Sequence, residues 1–222
     1  MSKNKAAIFD LDGTIIDSMY VWKKVDRDFL TQRGIPVTKE YTDTVRGMFF
    51  ETAAQYTIDK YHFTESVEEI VQIWLDMARY EYEKNVKAKP MVHEYLRELK
   101  NRRIKIGMAT SSNPYLLEPV LCSNALECYF DEICYTSEVG KNKAFPDIYL
   151  YTAKKLGVNP QHCVVFEDIP EGICGASKAG MKTVAVFDQA STENITTLKE
   201  NADKFVMGFD ELLEVDIWNE IS

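Results

Sequence analysis

Several features that mark large protein classes are missing from this sequence. No uncharged apolar run among its 222 residues approaches the about 20 residues of a membrane span, so neither a membrane protein nor a membrane partner is expected. The chain enters an apolar strand ahead of Asp10, too soon to hold a signal peptide. Five cysteines form no CxxC pair, and Cys122, Cys128 and Cys134 have no histidine at ligand spacing. Reduced, mostly buried thiols of a cytoplasmic protein are expected, rather than zinc ligands or a disulfide framework. Positive charge is also sparse: the net charge is −9 and no basic run exceeds two residues, which argues against nucleic acid or an anionic membrane as partner. A small phosphorylated metabolite stays compatible, because a bound metal and one placed cation can reverse the potential inside an acidic protein. Internal repeats and low-complexity linkers are absent, and an apolar fraction of 45% is that of an ordinary globular chain with a full core.

What the sequence does have begins at Ala6-Ala7-Ile8-Phe9-Asp10-Leu11-Asp12-Gly13-Thr14, an apolar strand running into two carboxylates one residue apart. Side chains at i and i+2 of a strand share a side, so Asp10 and Asp12 can face the same way where Gly13 lets the backbone turn. Isolated, such a pair is most simply a strand end with solvated acids. It gains chemistry if a divalent cation with oxygen ligands neutralises one carboxylate while the other handles a proton.

Helical spacing follows. Val21, Trp22, Val25, Phe29 and Leu30 form a stripe that Ser18 is placed to cap and that Gly34 and Pro36 end. A second helix is expected over residues 49–61, and a third opens at Ser66, where Glu69 completes a capping-box spacing. Residues 18–86 therefore read as all-helical. Beyond Pro90, strands expected at 104–109, 132–135, 164–166, 183–186 and 204–207 alternate with amphipathic helices, the pattern of a parallel sheet covered on both sides. The fold class expected is α/β: a doubly wound, Rossmann-like core over residues 1–16 and 87–222, with an α-helical domain inserted at 17–86.

Ligands of such sheets collect at the carboxyl ends of strands. One strand ends in Thr110-Ser111-Ser112-Asn113-Pro114, where hydroxyls and free amides ahead of a helix suit a phosphate; Thr110 is the first choice and Ser111 the second, with Ser112 or Asn113 as helix cap. Lys143, in Lys143-Ala144-Phe145-Pro146-Asp147, precedes another helix and can neutralise phosphate, whereas Lys141 reads as a surface charge. A further strand ends in Glu167-Asp168, a second acidic pair fit for Mg²⁺.

In chain order these four stretches resemble the four motifs of the haloacid dehalogenase-like superfamily, and the likeness spans residues 6 to about 187. An insertion after the first motif is similar to the helical cap of the subfamily that includes β-phosphoglucomutase, phosphoglycolate phosphatase and sugar-phosphate phosphatases. The resemblance implies Asp10 as the nucleophile that becomes an aspartyl phosphate, Asp12 as general acid and then base, and Thr110 and Lys143 as phosphate contacts. It further implies Mg²⁺ held by Asp10, the Asp12 carbonyl and Asp168, with Glu167 as an additional or water-mediated ligand. One departure is Ala144, where the family pattern KPxPD has proline. Another is Trp22, which stands where the mutase pattern has histidine; His62, His93 and His162 lie elsewhere and read as surface or satisfied residues. Arg46, Trp22 and Phe49 are the candidate substrate contacts in the cap, where aromatics serve equally as core. Hydrolysis of a small phosphomonoester is therefore expected ahead of phosphomutase chemistry, with a non-catalytic phosphometabolite-binding regulator as the alternative of a different class. The residues leave the particular phosphomonoester and the oligomeric state open.

Overall fold

A computed structural model describes residues 4–45 and 47–221. Strand β1 (Ala6–Phe9) opens the chain, and four helices follow: α1 (Val21–Gln32), α2 (Lys39–Val45), α3 (Phe50–Tyr61) and α4 (Val67–Lys84). Next come α5 (Val92–Asn101), β2 (Lys105–Thr110), α6 (Pro114–Ser123), β3 (Glu132–Tyr135), α7 (Thr136–Val139) and α8 (Asp147–Leu156). The chain ends with β4 (Cys163–Glu167), α9 (Pro170–Lys178), β5 (Lys182–Val186), α10 (Ile195–Asn201), β6 (Lys204–Val206) and α11 (Ile217–Glu220).

All neighbouring strands are parallel, in the order β3-β2-β1-β4-β5-β6. Every residue of β1 and β4 is buried, as expected of strands covered on both faces. Alternation sends Ala7 and Phe9 into one hydrophobic cluster, and Ala6 and Ile8 into another on the opposite face with Tyr149 and Ile148 of α8. Phe9 pairs with Phe166 across β1 and β4, and their rings stack at 4.4 Å. That register sets the residues after β1 abreast of those ending β4. The strand order reverses between these two strands, where an open parallel sheet leaves a crevice at its carboxyl edge.

Between β1 and α5, the helices α1 and α3 both pack on α4, around Phe29, Ala54, Ile70 and Trp74. Ser66 caps α4, accepting from the Glu69 N–H at 3.2 Å while its own N–H donates to Glu69 Oε2 at 2.7 Å. The helix cap expected at Ser18 does not form: α1 starts after Tyr20, and the Ser18 hydroxyl is occupied elsewhere. Helix α2, rich in polar and β-branched residues, lacks the apolar stripe that reveals its neighbours.

The chain leaves the sheet near Ile16 and returns near Ala88, and these two passages pair as an antiparallel ribbon. Asp17 N–H donates to Lys87 O at 2.9 Å and Lys89 N–H to Ile15 O at 2.8 Å, on either side of an Ile16–Ala88 bridge. Asn124 braces the ribbon, accepting from Ala88 N–H at 2.8 Å and donating to Val86 O at 3.1 Å. Lys89 Nζ donates to Gly13 O, bonds Phe187 O at 2.9 Å and pairs with Asp188 at 2.9 Å. Among the described residues no helix is long and apolar enough to cross a membrane. The cysteines are free, but Cys122, Cys128 and Cys174 are exposed and only Cys134 and Cys163 are buried, which corrects the expectation of mostly buried thiols. The exposed three sit on a helix end, a 3₁₀ turn and an outer helical position, away from the sheet.

Candidate active site

Asp10 follows β1 and is tied to the next strand by its N–H, which donates to Phe166 O at 2.9 Å. Its Oδ1 accepts from Lys143 Nζ and its Oδ2 from the Thr14 hydroxyl at 3.2 Å. Lys143 also donates to Glu167 Oε1 at 2.6 Å, where the Tyr149 hydroxyl arrives at 2.9 Å. Asp168, one residue beyond β4, accepts from Ser191 Oγ at 3.2 Å. Asp10, Glu167 and Asp168 are all buried, and one carboxylate oxygen from each lies within 4.8 Å of the others.

Three carboxylates around one ammonium are a strained arrangement without further positive charge. Desolvation pushes the Glu167 carboxyl above its ordinary range, against the opposing pull of Lys143. Asp168 is pushed up by burial and then by its neighbours Asp10 and Glu167. Burial by itself would lower the Lys143 pKa, but Asp10 and Glu167 outweigh it and hold the ammonium firmly protonated. Excess buried negative charge on hard oxygen donors is what a divalent cation relieves.

Two glycines make this packing feasible. Gly13 adopts φ +80°, and a Cβ there would lie 2.4 Å from Asp168 Oδ2. Gly175 of α9 lies against the backbone that carries Lys143, where a Cβ would come within 2.0 Å of Lys143 O and 2.8 Å of Phe145 O. Gly175→Ala is accordingly expected to force that segment away and lower the melting temperature by roughly 5 °C or more, read by calorimetry. An unchanged melting temperature would show that the segment moves at no cost.

Asp12 lies outside the acidic cluster. Its Oδ1 accepts from Ser18 Oγ at 2.7 Å and from the Tyr82 hydroxyl at 2.6 Å. Burial and the Asp10 charge raise the Asp12 pKa, and those two hydrogen bonds oppose the rise. Burial beside Asp12 in turn holds the Tyr82 phenol protonated, far above its ordinary range. Both aspartates nevertheless line one cavity of about 540 Å³ with Lys143, Asp168, Ser111, Ser112 and Asn113. Met19, Trp22, Phe50, Leu116 and Ile169 supply its apolar walls, and the Trp22 and Phe50 rings are 4.9 Å apart.

A family model described as haloacid dehalogenase-like hydrolase matches residues 7–186, most of the chain and every strand that carries these groups. The chain belongs to the haloacid dehalogenase-like hydrolases. Among curated relatives, hexitol phosphatase B of Escherichia coli K12 is 29% identical, over 82% of this chain and 82% of its own. Fructose-1-phosphate phosphatase YqaB of the same organism is 30% identical, over 81% of this chain and 94% of its own. Among solved structures, β-phosphoglucomutase from Clostridium difficile superposes with a TM-score of 0.74 at 26% identity, covering 98% of this chain and 97% of that one.

Within this haloacid dehalogenase-like site the structure brings Asp10, Asp12, Lys143, Asp168 and Trp22 to the cavity. Glu167 stands behind it, fully buried, with Oε1 on Lys143 and Tyr149 and with Oε2 lacking a partner among the described residues. Thr110 closes β2 with no accessible surface, and its hydroxyl accepts from the Ser112 N–H at 2.9 Å; the residues of this turn that line the cavity are Ser111, Ser112 and Asn113. Asn113 is the helix cap, accepting from Tyr115 N–H at 2.9 Å, whereas Ser112 Oγ is buried and unpartnered among the described residues.

Phe49 precedes α3, is 82% exposed and is not among the residues that line the cavity, whereas Phe50 is. Arg46 lies outside the described residues. Lys141 pairs at the surface with Asp147 at 3.1 Å. At Ala144, the N–H donates to Asn142 Oδ1 at 3.1 Å, a turn that proline could not make and that takes over its stiffening role. Tyr82, Tyr149 and Ser191 escape the sequence reading because no local motif marks them, and Thr14 stands in the first motif without a role of its own there.

Proposed function

We propose that this chain is a divalent-metal-dependent phosphatase that hydrolyses a small sugar-phosphate-like monoester through an aspartyl phosphate on Asp10. One observation carries the reading: two aspartates open into the same cavity, one inside a cation-ready acidic cluster and one outside it with hydrogen-bond donors of its own. That separation divides the labour between nucleophile and proton carrier.

Asp10, the Asp12 backbone carbonyl and Asp168 would hold Mg²⁺, which supplies charge neutralisation for a phosphate dianion approaching a carboxylate. Glu167 serves by anchoring Lys143 beside Asp10, and Lys143 screens the nucleophile and the phosphoryl oxygens together. Ser111 on the cavity wall would meet the phosphate, with Thr110 at the strand end behind it and Asn113 at the mouth of α6. In the first step an Asp10 oxygen bonds to phosphorus and the ester P–O bond breaks. Its electron pair goes to the leaving oxygen, which takes a proton from Asp12 and departs as the alcohol. In the second, water bonds to phosphorus, the bond to Asp10 breaks, and Asp12 accepts the proton of the water. Residues 17–86 act in this reading as the cap over the crevice, with Trp22 and Phe50 against the organic part of the substrate.

Lys143 is the only lysine or arginine lining the cavity among the described residues, which suits a substrate with one phosphate. The two E. coli relatives are named for hexitol and fructose 1-phosphate, supporting an uncharged polyol or sugar as the alcohol. Likeness to β-phosphoglucomutase supports a second reading, phosphoryl transfer within a sugar phosphate. A phosphate-release screen over hexitol, hexose and pentose phosphates, run with Mg²⁺ and with EDTA, tests both. Release with Mg²⁺ and none with EDTA is the expected result. Conversion of β-glucose 1-phosphate to glucose 6-phosphate without phosphate release would replace the phosphatase by the mutase.

A further inference from the structure

We infer that Tyr82 is a positioning residue for proton transfer by Asp12, its hydroxyl selecting which oxygen of the carboxyl carries the proton. The inference rests on the Asp12 role proposed above and adds a residue from the far end of the helical segment. Ser18 and Tyr82 both donate to Oδ1 of Asp12, at 2.7 Å and 2.6 Å, while Oδ2 accepts nothing among the described residues. A protonated carboxyl has one carbonyl oxygen and one O–H. Two donors on Oδ1 make it the carbonyl oxygen, so the proton resides on Oδ2, whose remaining partner is a substrate or water oxygen in the cavity that Asp12 lines. When Asp12 is ionised the same two donors quench Oδ1, and Oδ2 is again the oxygen that accepts.

One hydrogen bond would not suffice for this. Ser18 sits six residues from Asp12 on the same loop, and a single donor lets the carboxyl turn about its Cβ–Cγ bond and exchange its oxygens. Tyr82 approaches from an element 70 residues away and fixes the second direction. Its own placement is firm: the ring is buried in the main hydrophobic cluster, and α4 is fastened to α6 close by. Arg79 donates to Tyr115 O at 2.6 Å, and the Tyr115 hydroxyl donates to Asp76 at 2.8 Å.

The test uses the full chain with Mg²⁺ and a series of substituted phenyl phosphates, from p-nitrophenyl to p-methoxyphenyl, together with glycerol 1-phosphate. p-Nitrophenolate leaves without a proton, whereas an alkoxide needs one. Tyr82→Phe is expected to lower kcat/KM for glycerol 1-phosphate by about thirtyfold, a fraction of what a general acid contributes, and to leave p-nitrophenyl phosphate within about twofold. The dependence of kcat/KM on leaving-group pKa should steepen in the variant. That slope is independent of how much of the protein is folded, so it decides even if the variant is destabilised. Equal losses on every ester, or an unchanged slope, would overturn the inference and leave Tyr82 as core packing. Asp12→Asn is run beside it: a flat response there would remove Asp12 as the acid, a failure distinguishable from that of Tyr82 alone.

Discussion

Asp10→Asn is expected to reduce phosphate release from p-nitrophenyl phosphate by roughly ten-thousandfold or more, the scale of losing a covalent nucleophile. Asparagine keeps the shape and an oxygen for Lys143 or Thr14, so the loss is chemical rather than structural. The same substitution removes one of three clustered buried carboxylates, two of which pair with the Lys143 ammonium. The melting temperature in EDTA should therefore equal or exceed that of the parent protein. Loss of turnover joined to undiminished stability is a signature that a merely misfolded variant does not give. Retained turnover would exclude Asp10 as the attacking group.

Lys143→Met is expected to have the second largest effect and the opposite sign in stability. It leaves Asp10, Glu167 and Asp168 together with no protein cation among them, and strips Glu167 of its 2.6 Å partner. Breaking a buried ion pair from one side costs about 3–5 kcal/mol, or roughly 10 °C in a chain of this size. The cost depends on pH in a definite direction. Glu167 and Asp168 are already pushed up by burial, and loss of Lys143 raises them further, so both keep their protons in the folded state to higher pH than when unfolded. Stability of the variant is then lost as pH rises through the folded-state values, and the deficit should be larger at pH 8.5 than at pH 6. Mg²⁺ should recover part of the melting temperature, because it supplies positive charge, while turnover stays down about a thousandfold for want of the phosphate contact. A deficit insensitive to both pH and Mg²⁺ would mean that Lys143 acts through packing alone.

The groups legible in the sequence are those that the sheet places by register. Asp10, Lys143 and Asp168 are set by strand ends and the turns beside them, so short motifs suffice to find them. At Thr110 the motif marks the right turn, while pairing with Tyr135 encloses this last strand residue and leaves the next three to line the cavity, a detail that register alone decides. Phe49 is the extended residue before α3 and Phe50 the first of the helix, a one-residue difference between solvent and cavity that lies below the precision of a helix start read from periodicity. Tyr82 continues the stripe of Ile70, Trp74 and Ala78 at the next fourth position and so reads as one more core residue. Only the fold reveals that its hydroxyl meets Asp12. Ser191 reaches Asp168 from the turn after β5, where nothing in the neighbouring residues announces a site.

The paired passages at Ile16 and Ala88 bear on how substrate can enter. A single linker would let the helical segment swivel freely, but two strands hydrogen-bonded side by side behave as a leaf spring, compliant to bending across the ribbon and stiff to twisting or sliding within it. Lys89 clamps the root of that spring to Gly13 and to the turn after β5. Whatever amplitude such bending has, its path is close to one-dimensional. Trp22 would then leave and regain its place in the cavity wall along the same arc at each turnover, with no search over orientations.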